Sequence, residues 1–206
     1  MAAIGQAVRE EALQTVARQA GGDLLLVNPS GFTRQEPALW EGTLAEGERL
    51  ERAGSVLVTQ PVAGGVLIDA GDLPPYSVTP IRKIRGSRPE APAGLSVSRR
   101  HLENDHVRVE LDEAGDITRI YDKARQRELL PAGAKANQWQ AFEDRPLNWD
   151  AWDVDIFYDD RMWPAEPAET VEVIASGPLR ATLEIRRKIL NSPYTQRISL
   201  DYHSPA

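Results

Sequence analysis

No cysteine occurs among the 206 residues, so disulfides and thiolate metal sites are excluded. That fits a reducing compartment, and a cytoplasmic protein is the expectation. Histidine is nearly as scarce, with three in all, His101, His106 and His203. The first two stand five apart, which puts them on one face of neither a helix nor a strand. No H-E-x-x-H or H-x-H pattern is present, so the three are read as surface residues and no transition-metal site is expected within the chain. No run approaches the roughly 20 apolar residues of a membrane span. MAAIGQAVREEALQ lacks the charged region and apolar region of a signal peptide. Positive charge is in deficit, with a formal net charge of -7. Phosphate binding needs clustered Lys and Arg, so nucleic acid is not an expected partner.

What is present is ordinary globular composition, 41% apolar and 27% charged, enough for one sizeable domain or two small ones. Residues 2–20 predict an amphipathic helix. Ile4, Val8, Ala12 and Val16 recur every four residues with Leu13 beside them, Arg9, Glu10 and Glu11 fall on the other side, and Gly21-Gly22 stops it. A lone helix of this length is marginal in water, so it needs the β region or a further helical domain to pack against. Then the texture changes. DLLLVNP, GSVLVTQPV, GGVLID and YSVTPIRKI are short, β-branched and split by Gly and Pro, which predicts an antiparallel sandwich. Pro61 and Pro80 fit only edge strands or strand ends. SRPEAPAG is a linker by composition. Beyond it, LSVSRRHLEN, HVRVELDE, ITRIYD, NQWQAF, ETVEVIASG, LRATLEIRRKIL and TQRISLDYH read as strands, with a turn at Ala114-Gly115-Asp116. Their length suggests a large sandwich rather than a small barrel. The strand-like TQRISLDYHSPA has no closing element after it, and the helix starts abruptly, so the chain is read as a segment of a longer protein.

The densest chemistry is NWDAWDVDIFYDD, residues 148–160, with two Trp, one Tyr, one Phe and five Asp. An extended chain would split Trp149 from Trp152, whereas a turn would bring them together. Three readings stay open. A flat indole stacks on the apolar face of a pyranose while Asp150 and Asp153 accept hydroxyl hydrogen bonds. The indoles could instead plug a core while the carboxylates face water. Or Asp150, Asp153, Asp155, Asp159 and Asp160 could give hard oxygen ligands to calcium, although no EF-hand loop is present. Arg145 either pairs with neighbouring carboxylates or forks to a ligand oxygen. No G-x-S-x-G, G-x-G-x-x-G or P-loop occurs. Glycoside hydrolysis needs two carboxyl groups about 5–10 Å apart, and no such pair is singled out.

LENDHVRVELDEAGDITRIYDKARQRELL, FEDRPLNWDAWDVDIFY and SGPLRATLEI, in that order, resemble the region after the catalytic domain of family 38 α-mannosidases. NPSGFTRQE and LPPYSV resemble the small β domain preceding it. W-D-A-W-D resembles the bacterial and cytosolic branch. The resemblance implies a mainly β fold: residues 1–21 as the last helix of an upstream bundle, 22–90 as a small β-sandwich, and 96–206 as the start of a galactose-mutarotase-like supersandwich. It implies a parent that hydrolyses terminal α-mannosides with retention, through an Asp nucleophile, an acid/base carboxylate and zinc, on a barrel this chain lacks. No catalytic or zinc residue carries over, and the segment alone is expected to be inactive. Its expected partners are the barrel of the same chain and the mannoside, with a homo-oligomer admitted. Trp149, Asp150, Trp152, Asp153 and Arg145 are the candidate substrate contacts. Two other readings are a stand-alone carbohydrate-binding module and a structural interaction domain.

Overall fold

The computed structural model describes residues 2–204 and is mainly β, with one α-helix. The chain divides after Pro92 into two compact units.

The first unit opens with helix α1 (Ala2–Ala20). It ends where Gly21, at φ 68°, bonds back to the Ala17 carbonyl, the left-handed cap that glycine adopts without strain. Ile4 and Val8 are exposed, so the apolar stripe finds no cover over its first half within the described residues. Seven strands follow: β1 (Leu24–Asn28), β2 (Ala38–Trp40), β3 (Glu48–Arg52), β4 (Ser55–Val56), β5 (Val58–Val62), β6 (Gly65–Asp69) and β7 (Ser77–Arg85). They form two sheets, ordered β1-β7-β3-β4 and β2-β6-β5. Leu50 and Ile81 of the first sheet meet Val66 and Ile68 of the second, with Leu57, Ala70 and Leu73, in one buried cluster. This is the sandwich that the short β-branched runs, split by Gly and Pro, predict.

Local expectations needed correction in three places. GSVLVTQPV is not one strand. It breaks at the buried Leu57, so that β4 pairs with β3 in one sheet and β5 pairs with β6 in the other. ERLER, not among the runs read as strands, is β3, because Leu50 alone is its inward anchor and is fully buried. Pro80 lies within the inner strand β7. There β7 pairs with β1 only along residues 77–81 and with β3 only from Arg82. The Ile81 carbonyl faces β1, so the proline nitrogen turns to the side where no strand needs a donor. Pro61 sits on edge strand β5, as expected.

The second unit holds β8 (Ser96–Ser98), β9 (His101–Glu103), β10 (Val107–Leu111), β11 (Ile117–Asp122), β12 (Arg127–Glu128), β13 (Gln140–Phe142), β14 (Met162–Pro164), β15 (Thr170–Ser176), β16 (Arg180–Ile189) and β17 (Ser192–Asp201). LSVSRRHLEN is two strands, not one. Ser98 pairs with His101 across an Arg99-Arg100 turn, and the Ser98 hydroxyl accepts from the Arg100 N–H. The sheets are ordered β12-β11-β10-β9-β8, β13-β14 and β15-β16-β17. Leu102, Val107 and Leu111 pack against Ala181, Leu183, Ile185 and Leu200 in a second core. The hairpin expected at Ala114-Gly115-Asp116 joins β10 to β11, with Gly115 at φ 78°.

One device recurs in both units: a buried asparagine that ties separate segments together. Asn28 donates to the carbonyls of Phe32, Leu73 and Pro74. Asn104 donates to the carbonyls of Asp201 and Ser204 and accepts from the His106 and Val107 N–H groups.

Candidate functional site

The Trp/Asp stretch lies in the long connection between β13 and β14. The hairpin is rooted by the pairs Gln140–Pro164, Ala141–Trp163 and Phe142–Met162. Glu143 N–H donates to the Arg161 carbonyl at 3.1 Å, one step further out. Inside the loop, Phe142 meets Tyr158 edge-on with centroids 5.5 Å apart. Asp155 Oδ2 accepts from the Leu147 N–H at 2.6 Å. A short 3₁₀ turn, Ile156–Asp160, follows. Arg161 lies over the Trp163 ring at 5.0 Å. Long connections with no regular structure of their own are uncommon in compact domains and usually functional.

The two indoles are brought together by a turn. The N–H groups of Trp152 and Asp153 both donate to the Trp149 carbonyl, at 3.0 and 2.9 Å. Trp149 itself sits at φ 62°, a left-handed conformation that costs a bulky residue of order 1 kcal/mol or more. The result is a parallel pair, centroids 5.7 Å apart and planes 14° apart. Trp149 is 64% exposed and Trp152 73%, which overturns the core-plug reading for these described residues. A ring sandwiched between two indoles would need about 7 Å, two contacts of roughly 3.5 Å. The pair is therefore a double platform that meets a ligand only on its outer faces.

The polar groups divide into two sets. Arg145 pairs with Glu143 at 3.3 Å and reaches Asp160 at 3.9 Å, so it joins neighbouring carboxylates rather than Asp150 or Asp153. Asp150 and Asp153 are exposed, and among the described residues neither side chain has a hydrogen-bond or ion-pair partner. They are free acceptors beside the platform. Among the described residues no group of three or more His, Cys, Asp or Glu is arranged to hold a metal. The calcium reading therefore finds no support in this geometry, and the described residues do not fit a zinc site either. His101 is held between two hydroxyls, with Ser98 Oγ at 2.7 Å from Nδ1 and Ser96 Oγ at 3.2 Å from Nε2. No described helix is long and apolar enough to cross a membrane.

Sequence reading missed Phe142, Tyr158, Arg161 and Trp163 as parts of the loop's frame, and gave Asp155 only as a cation ligand. Phe142 and Tyr158 are sixteen residues apart and Asp155 and Leu147 eight, separations that no local spacing marks, whereas Arg161 and Trp163 are two apart.

Residues 102–206 match the family described as Glycosyl hydrolases family 38 C-terminal domain. Alpha-mannosidase 2C1 of Homo sapiens is 38% identical over 106 residues, 50% of this chain and 10% of that protein. Alpha-mannosidase G of Dictyostelium discoideum is 30% identical over 86 residues, 41% of this chain and 8% of that protein. The chain thus spans about a tenth of the length of these relatives. The crystal structure of an alpha-mannosidase from Enterococcus faecalis V583 matches with a TM-score of 0.59, over 87% of this chain and 28% of that one. At 11% identity that likeness shows the fold alone.

Proposed function

Because this chain belongs to glycosyl hydrolase family 38 through its C-terminal domain, we propose that it is the non-catalytic β region of a retaining, zinc-dependent α-mannosidase. Hydrolysis of terminal α-mannosides, its acid, its nucleophile and its zinc belong to other parts of the polypeptide. The contribution of this region is to pack against the catalytic barrel and to present residues 148–153 to the sugar. By itself it does not hydrolyse. A cytoplasmic parent is compatible with the absence of cysteine from this region.

The observation that carries this reading is the exposed, stacked Trp149–Trp152 pair, flanked by Asp150 and Asp153 with their acceptors free. Exposing two indoles to water is unfavourable unless another surface covers them. A pyranose offers the matching surface, C–H groups for the indole face and hydroxyls for the carboxylates. Trp152, the more exposed of the two, is the first contact, with Trp149 supporting it from behind. Arg145 serves by bridging Glu143 and Asp160 across the loop.

Trp152→Ala in the full-length enzyme tests the assignment. The substitution is expected to lower kcat/KM on a terminal α-mannoside roughly tenfold, about 1.4 kcal/mol, with circular dichroism and melting unchanged. Full activity with unchanged KM would remove the loop from the substrate site. A stand-alone carbohydrate-binding module is the second reading, favoured by the same platform. It requires the 206-residue chain to bind mannosides unaided, which calorimetry measures directly.

A further inference from the structure

A strand at the border of a sheet presents a row of unmet N–H and C=O groups. Folded proteins guard such borders with short length, charge, proline or a bulge. Among the described strands, every sheet border but one carries a guard of this kind. β4 and β12 are two residues long, and β2, β8, β13 and β14 three. β5 holds Pro61. β15 has a bulge between Val173 and Ala175. β17 holds Pro193 and Arg197. The exception is β1, LLLVN, five residues without charge or proline, paired with β7 in unbroken register.

The ladder identifies which groups of β1 are left over. The Ile81 carbonyl faces β1, and Leu25 stands opposite Pro80, which has no N–H to give. Successive residues of a strand point their main-chain groups to opposite edges. Those of Leu24, Leu26 and Asn28 therefore face β7, and those of Leu25 and Val27 face outward. The side chains of Leu25 and Val27 share one face of the sheet. With Leu13 and Ala17 of α1 they line a groove of about 370 Å³. Val27 is 43% exposed and Leu13 42%, so one apolar surface runs from the strand onto the helix.

We propose that this border pairs with the same border of a second copy of the chain, antiparallel about a two-fold axis at Leu26. In that register the Leu25 N–H donates to the carbonyl of the partner's Val27, and the Val27 N–H donates to the carbonyl of the partner's Leu25. Symmetry returns both bonds. Leucine lies across from valine on the α1 face, and Leu26 meets its own copy at the axis. Each copy has one unguarded border, so an isologous pair covers both and leaves none open, where a head-to-tail contact would not close. Charge does not oppose it, since α1 carries two Arg and two Glu and the Asp23 carboxylate accepts from the Lys83 N–H of its own chain. The contact is small among specific interfaces, so the dimer is a weak one. It depends on the first unit alone and stands apart from the role of residues 148–153.

Sedimentation velocity on the 206-residue chain should show monomer passing to dimer over about a hundredfold rise in concentration. Val27→Lys puts a charge on the border at an exposed position. It should stay monomeric at the highest concentration, with circular dichroism and melting unchanged. Cross-linking reads the register, and the chain has no cysteine of its own to interfere. Leu25→Cys and Val27→Cys, mixed and oxidised, should give a disulfide-linked dimer in at least about fivefold the yield of either alone, because position 25 faces position 27 with Cα atoms about 5.5 Å apart, within disulfide reach. A monomer at every concentration would overturn the proposal. So would Val27→Lys dimerising as the parent does, a cross-link no stronger in the mixture, or open-ended oligomers in place of a dimer.

Discussion

Removing the carboxylate of Asp116 asks how much an ion pair owes to its burial rather than to its length. Arg187 and Asp116 are 2.7 Å apart with side chains 2% and 11% exposed. Arg100 and Glu113 are closer, at 2.5 Å, but 49% and 89% exposed. At an effective dielectric of 20 the buried pair attracts by roughly 6 kcal/mol, and in bulk water the exposed pair by roughly 1.7 kcal/mol. Neither figure is net. The exposed pair surrenders most of its attraction to hydration, salt and side-chain entropy, leaving about 0–1 kcal/mol. For the buried pair the asymmetry matters more. Asp116→Ala leaves a guanidinium inside the core with no counterion, and a loss of about 3–5 kcal/mol is expected. Glu113→Ala should cost less than about 1 kcal/mol. Urea unfolding followed by tryptophan fluorescence measures both, with m-values compared to check that each variant unfolds as the parent does. Removing both partners together, as Asp116→Ala with Arg187→Met, should recover part of the loss, because an apolar side chain in that seat no longer needs a counterion. A cost for Asp116→Ala below about 1 kcal/mol would refute the reasoning, since it would mean that bulk solvent hydrates the Arg187 charge in the folded protein.

Asn104→Ala should destabilise by about 2–4 kcal/mol, because two carbonyls and two N–H groups lose a partner at a fully buried position. Asn104→Asp should cost no less, as its oxygens would face the Asp201 and Ser204 carbonyls, and thermal melts rank the two. Acid should weaken the second unit through Glu103. Lys123, at 2.7 Å, and then Arg108, at 2.8 Å, hold its carboxyl below the ordinary value. A carboxylate lowered on folding contributes its full stability above its unfolded pKa of about 4.3 and loses it as pH falls further. Melting temperature should therefore drop between about pH 5 and pH 3, and less steeply in Glu103→Gln. An equal slope in that variant would remove Glu103 from the acid limb.

Alternation and composition were sufficient for the broad outline. Period-two apolar runs forced a β architecture. Gly21-Gly22 ended the helix, and Ala114-Gly115-Asp116 made a hairpin, because these are properties of a few adjacent residues. The crowding of Trp149, Trp152 and five carboxylates between residues 148 and 160 marked a place worth testing before any coordinates. Whether those indoles were core or surface was not legible. That depends on whether the rest of the unit closes over them, and it does not. Only the fold decided that Arg145 serves Glu143 and Asp160. Only the fold split GSVLVTQPV between two sheets, made ERLER a strand around Leu50, and let Pro80 into an inner strand. Arg187 shows the same division. In the sequence it is one of two adjacent arginines in LEIRRKIL, and strand periodicity says only that the two point to opposite faces. Which face is the core depends on β10 and β11, some seventy residues earlier, which deliver Asp116 to within 2.7 Å. Local chemistry is written in neighbours along the chain. Burial and charge pairing are set by segments that meet only after folding.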